Sequence, residues 1–320
     1  MLFGALVALA VGLGLRFAVT TASDLGPADL ARFEEASGID LPDWYGDAPF
    51  FLMWTRGDGA TYLTLATDLD LDGAAHRLRS PRLRVARLGF STLLRLVAIG
   101  RIAWLPVAAF VVGSVGLATY GAMTATIALH DRRAWWLLAN PAVLIGYVGD
   151  STEPVGLALL LVAALAVSPL VAFAAGALLG GVRPSFAPAT LAARRPWPAF
   201  LGTIAVAAIV GTWARSVFPA DPGFPFRLPL VGYVEATGTT PLPDLVVAAT
   251  VAAAATGTIV LGVRRHRGPR RWGWILGGLL ILTLPPESVD DVVNLLRIAG
   301  FLPVLWVLEG ARDVRRVPEG

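Results

Sequence analysis

Residues 104–129, WLPVAAFVVGSVGLATYGAMTATIAL, contain no charged side chain, and His130-Asp131-Arg132-Arg133 follow at once. A helix that crosses a bilayer needs roughly 20 consecutive apolar residues. The stretch therefore reads as a membrane crossing closed by a basic pair. Upstream, residues 2–19 form a second apolar run, interrupted only by Arg16. No charge precedes this run, and Thr20-Thr21-Ala22-Ser23 is a poor cleavage site, so it reads as a retained first span rather than a signal peptide. Downstream, apolar runs recur at 134–149, 154–167, 169–182, 197–213, 245–263, 272–284 and 292–309. Several are shorter than a full crossing. Short or Pro-interrupted pieces are tolerated at membrane depth where protein, not lipid, surrounds them. Residues 183–193, with Pro184 and Pro188, read as such a broken or re-entrant piece.

The composition agrees with this pattern. Of 320 residues, 56% are hydrophobic and 15% charged, with a mean hydropathy of +0.67. Soluble domains carry about 25% charged residues. The expected fold is an all-α, polytopic transmembrane bundle of about 9–10 membrane segments. It forms one integral membrane domain over 1–320, with a large first loop, 23–103, carrying amphipathic juxtamembrane helices. The absence of cysteine excludes disulfides, thiolate metal sites and cysteine nucleophiles. His76, His130 and His266 are scattered, which argues against structural zinc. All 26 basic residues are Arg and the net charge is only +3, so no nucleic-acid partner is expected. Arg holds phosphate through a planar fork, although an Arg-rich codon bias produces the same composition.

Cytoplasmic loops are enriched in Arg and Lys. Arg132-Arg133, Arg194-Arg195, the run Arg264 to Arg271 and the tail Arg312 to Arg316 fit that side. Both termini are then cytoplasmic in a multi-pass cell-membrane protein, provided 169–193 goes out and partly back. Of the 23 acidic residues, all but Asp131, Glu309, Asp313 and Glu319 fall outside. The basic segment Arg77 to Arg101 also falls outside. Its apolar interleaving reads as an amphipathic helix lying in the membrane plane, suited to anionic head groups or to simple anchoring.

Ionisable groups next to apolar helices are costly, and a functional reading is the default. Four sets collect on the outer side. Asp58, in Arg56-Gly57-Asp58-Gly59, fits a general base or metal ligand; it equally fits a turn aspartate capping a helix that starts at Ala60. Gly149-Asp150-Ser151-Thr152-Glu153-Pro154 reads as a loop and helix start, but that alone requires neither Asp150 nor Glu153. Arg183 closes an apolar run, where it either binds or snorkels. Asp290, Asn294 and Arg297 fall at i, i+4 and i+7 on one helical face. An Asp-rich first turn accounts for the first of these, not for an Arg deeper in the span.

In order along the chain, Asp58-Gly-Ala-Thr-Tyr62-Leu63, Arg84-Val-Ala-Arg87-Leu-Gly-Phe, Asp150-Ser-Thr-Glu153-Pro154, Val182-Arg183-Pro184 and Asn294-Leu-Leu-Arg297 resemble the multi-span glycosyltransferases of the C type, mannosyltransferase-like members in particular. The resemblance implies transfer of a hexose from a polyprenyl-phosphate carrier, on the outer face, to a glycan, lipid or protein acceptor. It makes Asp58 the base toward the acceptor hydroxyl, or the ligand of a divalent cation such as Mg or Mn. It places Arg183 and Arg297, with Arg84 and Arg87, on the carrier phosphate. Glu153 joins Asp58 as a catalytic candidate that orients the acceptor or one Arg, and Asp150 and Asn294 join the substrate-binding set. Two other classes fit a polytopic chain: a secondary transporter or lipid-carrier flippase, and a non-catalytic assembly protein. The chain shows no internal repeat, and its candidate charges collect at one face rather than the midplane where transport sites lie.

Overall fold

The computed structural model describes residues 1–23, 30–31, 34–35, 40–51, 58–73, 76, 78, 80–221, 227–238, 240–289 and 291–313. Every regular element among them is helical. The first, α1 (Leu2–Ala22), is 21 residues long, about 31 Å at 1.5 Å per residue and enough to cross a bilayer. Its buried residues Gly4, Ala8, Gly12 and Arg16 recur every fourth position and form one stripe.

The described residues before the next span include α2 (Asp58–Thr67), α3 (Pro81–Val85) and α4 (Leu88–Val97). The expected helix from Ala60 begins at Asp58 instead. The single in-plane helix expected over 77–101 is two helices, separated at Ala86-Arg87; Arg77 and Arg79 lie outside the described residues. Ser80 takes a left-handed φ of 55° just before α3, which limits how far that helix extends backward. The next span, α5 (Leu105–Ala128), runs antiparallel to α1. A Cβ on Gly4 would stand 2.3 Å from the carbonyl oxygen of Gly121, so only glycine permits this approach. Small residues are what allow helix backbones to close on one another without a hydrophobic drive in lipid.

The run 134–149 does not form one crossing. A 3-10 stretch covers Arg132–Ala139, and α6 (Pro141–Val148) follows. Asn140 caps α6, accepting from the Ala142 amide at 3.1 Å, and Pro141 occupies the first helical position. Proline belongs at a helix start, because it lacks the amide proton that an interior turn needs.

α7 (Glu153–Leu165) and α8 (Pro169–Val182) are antiparallel and short, at 13 and 14 residues. α7 can be short because protein surrounds it: Leu157, Leu160, Leu161 and Ala163 are all buried. After α8 the chain turns at Arg183 and doubles back through single turns at Pro184–Phe186 and Ala187–Thr190. It returns to the far end of α7, where the Arg194 amide donates to Ala164 O at 3.0 Å. The expected broken segment is thus present. α9 (Pro196–Val217) then runs parallel to α8, with Gly176 against Ala199 and Gly180 against Thr203.

Beyond α10 (Val231–Ala236), α11 (Leu242–Arg265) and α12 (Gly268–Leu282) pack antiparallel, Gly262 on Trp274 and Gly278 on Ala255. The run 292–309 divides into α13 (Val292–Ala299) and α14 (Phe301–Asp313) at Gly300. A Cβ on Gly300 would stand 2.2 Å from the Ala142 Cβ.

Among the described residues, five helical stretches are long and apolar enough to cross a membrane: 2–22, 102–128, 196–217, 242–265 and 292–309. Leu2, Leu170 and Leu242, each about three-quarters exposed, belong to a surface made for lipid. The molecule is an all-α polytopic bundle. Following the helix directions, Arg132-Arg133, Arg194-Arg195 and the 264–271 loop share one end of it, and Glu153 lies at the other.

Candidate functional site

The site grows from the first residue of α7. Glu153 stands at a helix N-terminus, where the backbone dipole favours a carboxylate, and it is fully buried. A charge removed from water must be paired and hydrogen-bonded. Arg183, just past α8, brings Nη2 to 2.9 Å from Glu153 Oε1. Arg297, on α13, donates from Nε to Oε1 at 3.1 Å and from Nη2 to Oε2 at 3.2 Å. The Ser151 hydroxyl donates a short hydrogen bond to Oε2. Arg183 Nη1 also donates to Thr152 Oγ1 at 3.3 Å. Two glycines make room: a Cβ on Gly146 would fall 2.8 Å from the Glu153 Cβ, and one on Gly156 would fall 3.0 Å from the Arg183 Cβ.

Arg87 extends the cluster toward the first loop. It donates to the Tyr62 hydroxyl at 2.5 Å and lies near enough to Glu153 and Arg183 to act on both electrostatically. Tyr62 lies on α2. Asp58 itself heads α2, and its side chain lies outside the described residues. Access is uneven across the set. The Arg297 side chain is 12% exposed, whereas those of Glu153 and Arg183 are sealed. Arg183 Nε is buried without a hydrogen-bond partner among the described residues.

A second buried pair lies beside the first. Arg16 makes a fork to Asp150, Nη1 to Oδ1 at 2.6 Å and Nη2 to Oδ2 at 2.8 Å, with neither side chain exposed. Arg16 also donates to the Phe50 and Tyr147 carbonyls and lies against the rings of Phe50, Phe110 and Tyr147. Asp150 takes a left-handed φ of 46°, a region that Asp tolerates better than most residues. Its carboxylate is thus directed to α1 rather than to an open surface.

The structure therefore brings Glu153, Arg183, Arg297 and Arg87 together. Asp150 stands next to them with Arg16 as partner. Asn294 is only half-buried; its amide is capped by Asp291 Oδ1 at 3.1 Å, and its side chain makes no hydrogen bond among the described residues. Arg84 lies on α3, one turn before Arg87. Asp290 lies outside the described residues. The role of Arg16 was not foreseen, although a lone Arg in an apolar run is itself the signal. No group of three or more His, Asp or Glu gathers in metal-binding geometry among the described residues.

An apolar trough of about 240 Å³ runs between α4, α5 and α7, lined by Leu93, Val97, Val111, Val115, Val155 and Leu159. It adjoins a second groove of about 410 Å³ at Arg101 and Trp104, and Val97 and Val111 border both. Val155 places the trough two residues from Glu153.

Comparison with protein-family models, with curated proteins and with solved structures finds no match to this chain.

Proposed function

We propose that this chain is a membrane glycosyltransferase of the C type, moving a hexose from a polyprenyl-phosphate carrier to an acceptor on the outer face of the membrane. One observation carries the reading. Arg183 and Arg297, far apart in sequence, converge on one buried carboxylate at the first residue of α7. In this reading the apolar trough, which Val155 of the same helix lines, takes the isoprenoid chain, and the partly exposed Arg297 takes its phosphate. Arg forks match phosphate oxygens in charge and geometry.

In this reading the acceptor hydroxyl attacks the anomeric carbon. The new C–O bond forms as the bond from that carbon to the phosphate oxygen breaks. The carrier phosphate leaves with the electron pair, and Arg297 stabilises the charge it gains, while the sealed Arg183 holds Glu153 in place. The acceptor's proton passes to Asp58 as general base. Glu153 is a positioning residue, because two guanidiniums and Ser151 already occupy its oxygens.

The test is transfer of radiolabelled hexose from polyprenyl-phosphate donors in proteoliposomes by wild type, Asp58→Asn and Arg297→Gln. Transfer by wild type that is lost in both folded variants is expected. A folded wild type that transfers from no donor, yet moves the labelled carrier between leaflets, would make the protein a flippase instead.

A further inference from the structure

Trp44 lies in the 3-10 turn Asp43–Tyr45 of the first loop, and 42% of it is exposed. Its ring stacks on Tyr45, with centroids 3.8 Å apart and planes 25° from parallel. Tyr45 is fully buried, and its hydroxyl donates to the Ala103 carbonyl at 2.8 Å. Burial pushes the Tyr45 phenol up to about 12, so this donor persists through ordinary pH. Phe51 meets both rings edge-on. The indole is therefore fixed from behind, and a ligand that lands on it need not first order it.

Asp43 and Asp47 are exposed on either side of Trp44 in sequence, and the turn itself is closed by Gly46 N to Asp43 O at 2.9 Å and Asp47 N to Trp44 O at 3.2 Å. Neither carboxylate has a hydrogen-bond or ion-pair partner among the described residues. Carboxylates accept from hydroxyl donors and offer none. A rigid aromatic face in a turn that also exposes two acceptors suits a ring with an apolar C–H face and hydroxyls at its edge.

Membrane-interface anchoring is the ordinary use of an exposed Trp. The local charge opposes it here. Among the described residues of this stretch Glu34, Glu35, Asp40, Asp43 and Asp47 are acidic and none is basic, a balance that repels anionic lipid heads. It repels phosphates equally. From these observations we infer that Trp44, with Asp43 and Asp47, is a binding platform for a neutral saccharide.

The platform shares an end of the bundle with the charged cluster. Phe50 O accepts from Arg16, which pairs with Asp150, three residues before Glu153. The inference deepens the transfer reading by naming a site for a sugar acceptor, yet its test needs no donor and stands whether or not transfer occurs.

Saturation-transfer NMR would be recorded on the full chain in nanodiscs with methyl α-mannopyranoside and methyl α-glucopyranoside at about 20 mM, above the millimolar Kd expected of one stacked ring. Ring-proton saturation is expected with wild type. Trp44→Ala should weaken it about tenfold, whereas Trp44→Phe, which keeps a flat ring, should retain most of it. Asp43→Asn/Asp47→Asn should weaken it by roughly threefold to tenfold. A flat spectrum with folded wild type, as for a Trp that only anchors the loop, would overturn the proposal. So would a signal unchanged in Trp44→Ala.

Discussion

Asp150→Asn is the sharpest probe of the bundle's energetics. The substitution keeps the shape and the left-handed backbone, which Asn also tolerates, but it leaves the Arg16 guanidinium buried without its counter-charge. Removing one partner of a sealed pair costs about 3–5 kcal/mol. Arg16→Met leaves the Asp150 carboxylate uncompensated and also strips the Phe50 carbonyl of its Arg16 donor, while the Tyr147 carbonyl keeps the Asp150 amide at 3.4 Å. The lost acceptor bond adds about 1–3 kcal/mol, so this variant should be the less stable of the two. Arg16→Met/Asp150→Asn removes both charges, and only the Phe50 carbonyl loses its Arg16 donor. The double variant should therefore lie about 2 kcal/mol or more above the sum of the singles. Reversible unfolding in mixed SDS micelles, run as a double-mutant cycle, measures that coupling. A coupling below about 0.5 kcal/mol would refute the reasoning, because it would mean that water reaches the pair. Folded Asp150→Asn should also keep its activity, since neither member of the pair faces the trough.

Glu153→Gln should destabilise the protein by about 3–5 kcal/mol through the sealed Arg183, and should abolish hexose transfer in the molecules that stay folded, as read in proteoliposomes. Arg297→Lys should restore charge without the two-pronged contact, and donor titration should show KM raised by about tenfold or more. Gly180→Val should cost about 3 kcal/mol, because a Cβ there meets Thr203 O at 2.3 Å, whereas Gly14→Ala, which meets nothing, should change the unfolding midpoint little. Asn140→Leu should cost about 2–3 kcal/mol by stranding Gly300 O, which it serves at 2.8 Å, and circular dichroism should show helicity retained.

Much of the bundle was legible because lipid imposes length and apolarity on each crossing. Proline marked the interruptions at 184 and 188, where the amide it lacks must fall at a helix start or turn, whereas 134–149 read as one run although Pro141 starts a helix inside it. The break at Gly300 was not legible, since glycine inside an apolar helix is ordinary in membranes and only the Ala142 contact demands it. Nor was the division of 77–101, which depends on Gly89 of α4 meeting the backbone of Gly181. Glu153, Arg183 and Arg297 stood out because charge at a span end is costly. Their meeting was a reasonable expectation; the partner of Asp150 was not. That assignment depends on which helix passes beside the turn, and α1 passes there because Gly4 and Gly12 let it close on α5.

The return path from Arg183 to Arg195 also bears on how the chain enters the membrane. A machine that inserts helices by their apolar length has no helix to recognise here. α8, at 14 residues, is itself too short to insert firmly. The walls of the return path come partly from residues made later: Gly273 of α12 packs on Pro188 and Leu191, and Phe301 packs on Phe186. A nascent chain that has passed Arg195 must therefore hold this stretch outside its final position until α12 and α14 arrive. Reagent labelling of Ser185→Cys in arrested chains should show it reactive up to about residue 270 and protected in the finished protein. Protection already present in chains ending before α12 would show that the pocket forms from α7, α8 and α9 alone.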